Sequence, residues 1–208
     1  VGERSNILGY FASLCGVASV ANQLVNSSLM NLFAHMLKQY SNAPVVLCGL
    51  NHILAKLFRH ATFISSDLSK DGMVVALVKC TGARDRKVRR KALAALGELL
   101  FYVATEEGSN HAWVIPGSVV PLLQRCMKSE DPVLAHYAVK TILNIYTQGT
   151  RSHLSRFVNI DIGQLLVAII CRGHTRATRT TTTRGARGAR GKREPVIETL
   201  LHFVGNND

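Results

Sequence analysis

The chain has 208 residues, 47% of them hydrophobic, with a formal net charge of +12 and a pI near 9.9. That apolar content excludes disorder throughout and allows a substantial core, while the charge excess calls for an anionic partner such as nucleic acid, a membrane surface or an acidic protein. The five cysteines, Cys15, Cys48, Cys80, Cys126 and Cys171, form no CxxC pair and no zinc-type cluster, so buried reduced thiols of a cytoplasmic protein are expected rather than a disulfide scaffold or a metal module.

In chain order, Ile7, Phe11, Leu14, Ala18, Ala21 and Val25 recur at helical spacing and predict one amphipathic helix across 7–25. No uninterrupted apolar run reaches a membrane span, and no membrane partner is expected. The chain opens on Val rather than Met, and we read it as a fragment of a longer protein. Pro44, Pro121, Pro132 and Pro195 sit where first-turn prolines belong, and Asp131 before Pro132 is a good N-cap. Loops are predicted near Ser65 to Asp71, Glu106 to Asn110 and Ser129 to Glu130.

Self-comparison fixes the architecture. Asp85 aligned with Asp131, at an offset of about 46 residues, sets Ala92 on Ala138, Leu93 on Val139, Leu96 on Ile142 and Leu99 on Ile145. "GMVVALVKC" from Gly72, "GSVVPLLQRC" from Gly117 and "GQLLVAIIC" from Gly163 recur upstream of these stretches, so Cys80, Cys126 and Cys171 occupy one repeated core position. An earlier copy places Gly49, Leu50 and Ile53 on Ala92, Leu93 and Leu96, with a small residue at Gly49, Ala92 and Ala138 for close helix approach. The predicted fold is therefore all-α, a HEAT/armadillo-type α-solenoid of about four helical repeats. The repeats run over 1–177; an Arg/Gly/Thr-rich insertion occupies 178–193; residues 194–208 form the last helix of a truncated repeat.

The phrases "LGELLFY", Trp113 with Pro116, and "YAVKTILNIYTQG", spread over Arg89 to Gly149, resemble the helical-repeat region of the Fused/Runkel-like group of ULK-type serine/threonine kinases. The resemblance implies a C-terminal HEAT/armadillo scaffold behind a kinase or pseudokinase domain, serving microtubule, cilium or cytokinesis assembly in the cytoplasm, cytoskeleton or cilium. This stretch itself has no Gly-rich ATP loop, HRD or DFG, and "GARGARGK" departs from a phosphate loop at Ala186 and Arg193. No enzymatic activity, cofactor or metal is expected of it.

Binding candidates come from charge. Arg86, Lys87, Arg90 and Lys91 crowd the start of the helix after Asp85, where the helix dipole disfavours cations. They also form like-charge pairs at i,i+4. Neither helix stability nor repeat packing calls for them, so they are the expected contact for an acidic protein partner. Asn144 occupies the place of the groove asparagine that the importin and catenin armadillo proteins resemble one another in bearing, but Glu98 and Ala55 stand at its repeat equivalents. The alternative is a nucleic-acid module acting through Arg184, Arg187, Arg190, Lys192 and Arg193 of the Arg/Gly tract, although no aromatic residue lies between Arg172 and Arg193 to stack on bases. The eight histidines are scattered without an HxxxH pair, and His52 is read as a packing residue of its repeat.

Overall fold

The computed structural model describes residues 2–70, 72–106, 113–150, 154, 157 and 161–169. The expected Arg/Gly tract and closing helix, Cys171, and the cations Arg184, Arg187, Arg190, Lys192 and Arg193 lie outside the described residues. Among the described residues every regular element is helical. They are α1 (Gly2–Leu14), α2 (Ala18–Val25), α3 (Leu29–Gln39), α4 (Pro44–His60), α5 (Asp67–Lys70), α6 (Met73–Thr81), α7 (Arg86–Thr105), α8 (Val119–Met127) and α9 (Pro132–Gln148), with residues 161–169 also helical.

Short and long helices alternate with a regular period. The short ones start at Leu29, Met73 and Val119 and the long ones at Pro44, Arg86 and Pro132, a recurrence of about 42 to 46 residues. Helices α4, α7 and α9 lie side by side, with α6 packed on α7, α8 on α9, and α1 and α2 on α4. His52 lies beside Lys91 and Arg59 beside Glu98, while Gly97 meets Thr141 and Thr150 N donates to Ala104 O at 2.8 Å. Contact residues rise together in both pairs, so the three long helices run in the same direction.

Local chemistry explains the boundaries. Asp85 caps α7 by accepting from the Lys87 and Val88 backbone N–H groups at 2.8 and 2.9 Å. Asp131 does the same for α9 through Val133 and Leu134, at 3.1 and 3.4 Å. Pro44 and Pro132 occupy first-turn positions, where the missing N–H costs nothing. The single helix expected over 7–25 is two helices. The chain turns at Gly16, whose N–H bonds Ser13 O at 3.1 Å, and Val17 is extended before α2. The loop expected near Ser65 contains the short helix α5, organised by the Ser65 hydroxyl accepting from Asp67 N–H at 3.3 Å.

The core is continuous from Ala12 to Leu165. Helix α7 buries Val88, Ala92, Leu93, Ala95, Leu96, Leu99, Leu100, Val103 and Ala104, a wider face than one helical stripe because α4, α6 and α9 all pack on it. Cys80 and Cys126 stand at the same place in α6 and α8, both buried, and burial pushes both thiols up. Ala92 and Ala138 are buried, and a Cβ on Gly97 would run into the Thr141 hydroxyl, so α7 and α9 approach closely there as well.

Trp113 closes the end of α7. It is buried, meets Tyr102 edge-on with ring centroids 6.1 Å apart, and donates its indole N–H to Glu106. The Tyr102 hydroxyl in turn accepts from Ile64 N–H at 2.9 Å. Across the molecule, Asn22 of α2 and its C-cap Asn26 hold the backbone before α5: Asn22 Oδ1 accepts from Thr62 and Phe63 N–H, and Asn26 bonds Phe63 O and Ser65 N. These bonds satisfy backbone groups that no helix could serve.

Candidate functional site

The first turns of α7 carry Arg86, Lys87, Arg89, Arg90 and Lys91, and the fold sends them in different directions. Arg86 and Arg90, one turn apart, point at Asp131. Arg90 grips its carboxylate through Nε at 2.9 Å and Nη2 at 2.7 Å, and Arg86 adds a bond from Nε at 2.9 Å. Asp131 is only 8% exposed, because the cap of α9 lies under the start of α7. A carboxylate so placed needs a cation. The guanidinium of Arg90 first, and that of Arg86 after it, hold the Asp131 carboxyl well below the usual carboxylate range against the opposing pull of burial.

The expectation that repeat packing has no use for the cluster is thereby overturned for these residues. The like-charge cost of Arg86 beside Arg90 is offset by a shared carboxylate that belongs to another helix. Arg89 has a structural role too, donating to Ala83 O at 3.0 Å and Arg84 O at 2.8 Å, where α6 gives way to α7. Only the lysines keep the character that the sequence suggested for the whole run.

Lys87 and Lys91 are exposed and face α4. Lys91 Nζ is 3.4 Å from His52 Nδ1, a contact that a neutral imidazole accepts and an imidazolium refuses. His52, read from the sequence as a packing residue, is half-buried at the surface of this seam. Burial lowers its pKa, and Lys91, Lys56 and Arg59 push it the same way. Cys48, one turn earlier on α4, feels Asp85 as well as Lys91 and Lys87. Of the acids close by, Asp85 is committed to capping α7 and Glu98 to Arg59, whose Nε is 3.0 Å away. Among the described residues no ion pair involves Lys56, Lys87 or Lys91.

Asn144 is half-buried on α9, roughly 20 Å along the helix from Asp131 at 1.5 Å per residue. The fold does not gather it with the cations of α7. Glu98, its counterpart on α7, is tied to Arg59, so neighbouring long helices present different chemistry at this level. An open cleft lined by Gln124, Lys128, Asp161, Gln164 and Leu165 mixes both signs of charge. Among the described residues no three potential metal ligands gather, and no helix is long and apolar enough to cross a membrane.

Sequence reasoning named neither Lys56 nor the intramolecular grip of Asn22 and Asn26. The signal for the arginine clamp was present: an Arg pair one turn apart at the start of one long helix, and an Asp cap one repeat later. What was missing was the knowledge that the two ends meet.

The chain is 31% identical over 165 residues to the serine/threonine-protein kinase RUNKEL of Arabidopsis thaliana, a match covering 72% of this chain and 12% of that protein. It is 26% identical over 170 residues to the mouse serine/threonine-protein kinase ULK4, covering 78% of this chain and 13% of that protein. The chain thus spans about an eighth of the length of each of these relatives. No protein-family profile matches it, and no solved structure does.

Proposed function

Taking as premise that this chain is a homologue of the Runkel and ULK4 kinases over most of its length, we propose that it is a non-catalytic interaction scaffold built of HEAT/armadillo-type repeats, which recruits an acidic protein partner. The observation that carries this reading is the exposed lysine pair Lys87 and Lys91 at the start of α7, which no carboxylate pairs among the described residues, while Arg86 and Arg90 are taken up by Asp131. Parallel helices that share one core make a rigid platform, and uncompensated cations on it steer an acidic partner into place. The acidic tails of tubulin fit the charge, which agrees with a role at microtubules, in the cilium or in cytokinesis.

Co-sedimentation of the chain with microtubules tests this reading. The Lys87→Glu/Lys91→Glu variant, with helix content checked by circular dichroism, is expected to lose binding. Binding that survives the double charge reversal refutes the surface. Reversing Arg86 and Arg90 would not serve, because it would also break the Asp131 clamp.

A further inference from the structure

We propose that the seam between α4 and α7, walled by His52 and Lys56 on one helix and Lys87 and Lys91 on the other, is a binding site for the carboxylates of an extended acidic peptide. It rests on the scaffold reading and moves the contact from the start of a single helix to a groove between two.

Charge balance is the first support. Lys91 Nζ lies 3.4 Å from a ring nitrogen of His52, and Lys56, Arg59 and Lys91 all act on that imidazole with the same sign. The charged groups around His52 are Lys56 and Arg59 on α4 and Lys91 and Glu98 on α7, and Glu98 is held by Arg59. The seam thus carries an excess of positive charge, which an arriving anion would relieve. Lys87 lies in the first turn of α7, at the positive end of its dipole, which adds to the attraction for an anion. At the opposite side of α7 the same crowding is resolved inside the chain by Asp131; in the α4 seam Glu98 takes up Arg59, and among the described residues no carboxylate pairs with Lys56, Lys87 or Lys91.

The kind of charge selects the partner. The arginines nearby are engaged: Arg86 and Arg90 with Asp131, Arg89 with backbone carbonyls, and Arg59 with Glu98. The seam is left with lysine ammonium groups, which act as flexible point charges rather than planar forks for phosphate. No Phe, Tyr or Trp occurs from Cys48 to Lys56 or from Lys87 to Glu98, so the seam lacks rings on which bases would stack. A carboxylate arriving between His52 and Lys91 draws Lys91 off the imidazole and favours its protonation, so that a proton is taken up as the peptide binds.

The test is fluorescence anisotropy of a labelled ten-residue glutamate peptide titrated with the whole chain. Each of His52→Gln/Lys56→Gln and Lys87→Gln/Lys91→Gln is expected to weaken binding about tenfold, equivalent to ~1.4 kcal/mol. Arg125→Gln/Lys128→Gln, which removes two cations from the end of α8 and its C-cap, should leave it unchanged. Wild-type affinity should rise as the pH falls from about 7.5 to 6, and the rise should vanish in His52→Gln. A loss confined to Lys87→Gln/Lys91→Gln overturns the seam and leaves the scaffold reading standing. Equal losses from all the pairs, a flat pH profile, or tighter binding of oligouridylate through the same residues overturns the peptide site. No binding by the wild type overturns the scaffold reading with it.

Discussion

The two seams flanking α7 are both made by parallel helices but differ in charge at the start of α7. Towards α9, a capping aspartate is buried under two arginines and Gly97 lets the helices close on Thr141. Towards α4, the corresponding aspartate, Asp85, caps its own helix and has no arginine pair, because α4 starts with "PVVLCGLNH" and carries no cation in its first two turns. The parallel long helices therefore meet in a similar way on both sides, while a few side chains decide whether an ion pair closes the contact at the start of α7.

The sharpest way to break the closed seam is Gly97→Leu. The new side chain must displace Thr141, whose hydroxyl already bonds Tyr137 O at 2.8 Å, and overpacking of this kind costs about 3 kcal/mol at the upper end of its usual range. Urea unfolding should show the loss directly. A midpoint equal to that of the wild type would mean that α7 and α9 are not held at this distance.

Next in size is the aspartate comparison. Asp85→Ala removes a cap and should cost about 1 kcal/mol. Asp131→Ala removes a cap and the carboxylate that neutralises Arg86 and Arg90, so its cost should be clearly larger, about 2 kcal/mol or more. Equal losses in chemical denaturation would show that the clamp contributes nothing beyond capping.

Acid provides a graded version of the same comparison. The native Asp131 carboxyl lies below its ordinary value of 3.8, so the native state binds fewer protons there than the unfolded chain. Its contribution is fully present above the ordinary carboxylate range and is lost as the pH falls through that range towards the native value. The stability difference between wild type and Asp131→Asn should therefore be constant near neutral pH and shrink below about pH 4. Denaturation midpoints measured from pH 7 down to 3 check this, and a difference independent of pH would contradict it.

The smallest expected effect separates the lysines from the arginines. Lys87→Gln/Lys91→Gln relieves a like-charge pair at i,i+4 and should leave stability unchanged or raise it by about 0.2–0.5 kcal/mol. Arg86→Gln/Arg90→Gln should lower it. Thermal unfolding of both variants is sufficient, and a loss from the lysine variant would give those residues a structural role.

The helical class, the caps at Asp85 and Asp131, and the buried positions Ala92, Leu96, Ala138 and Ile142 were legible in the sequence, because helix periodicity and capping are local properties. Gly16 shows the limit of that legibility. An apolar pattern that runs through a glycine reads as one helix, whereas the chain turns there and starts another. Asn22 and Asn26 were illegible for a different reason, since the backbone they hold lies about 40 residues away.

The sequence by itself thus determined that the chain is helical, that its helices recur, and that cations crowd the start of α7. Only the tertiary structure decided what those cations are for. A helical wheel assigns each side chain a direction but not the neighbour found in that direction. Arg86 and Arg90 are structural because Asp131 comes to lie beneath them, and no carboxylate among the described residues pairs Lys87 or Lys91, because α4 brings His52 and Lys56 to them rather than an acid.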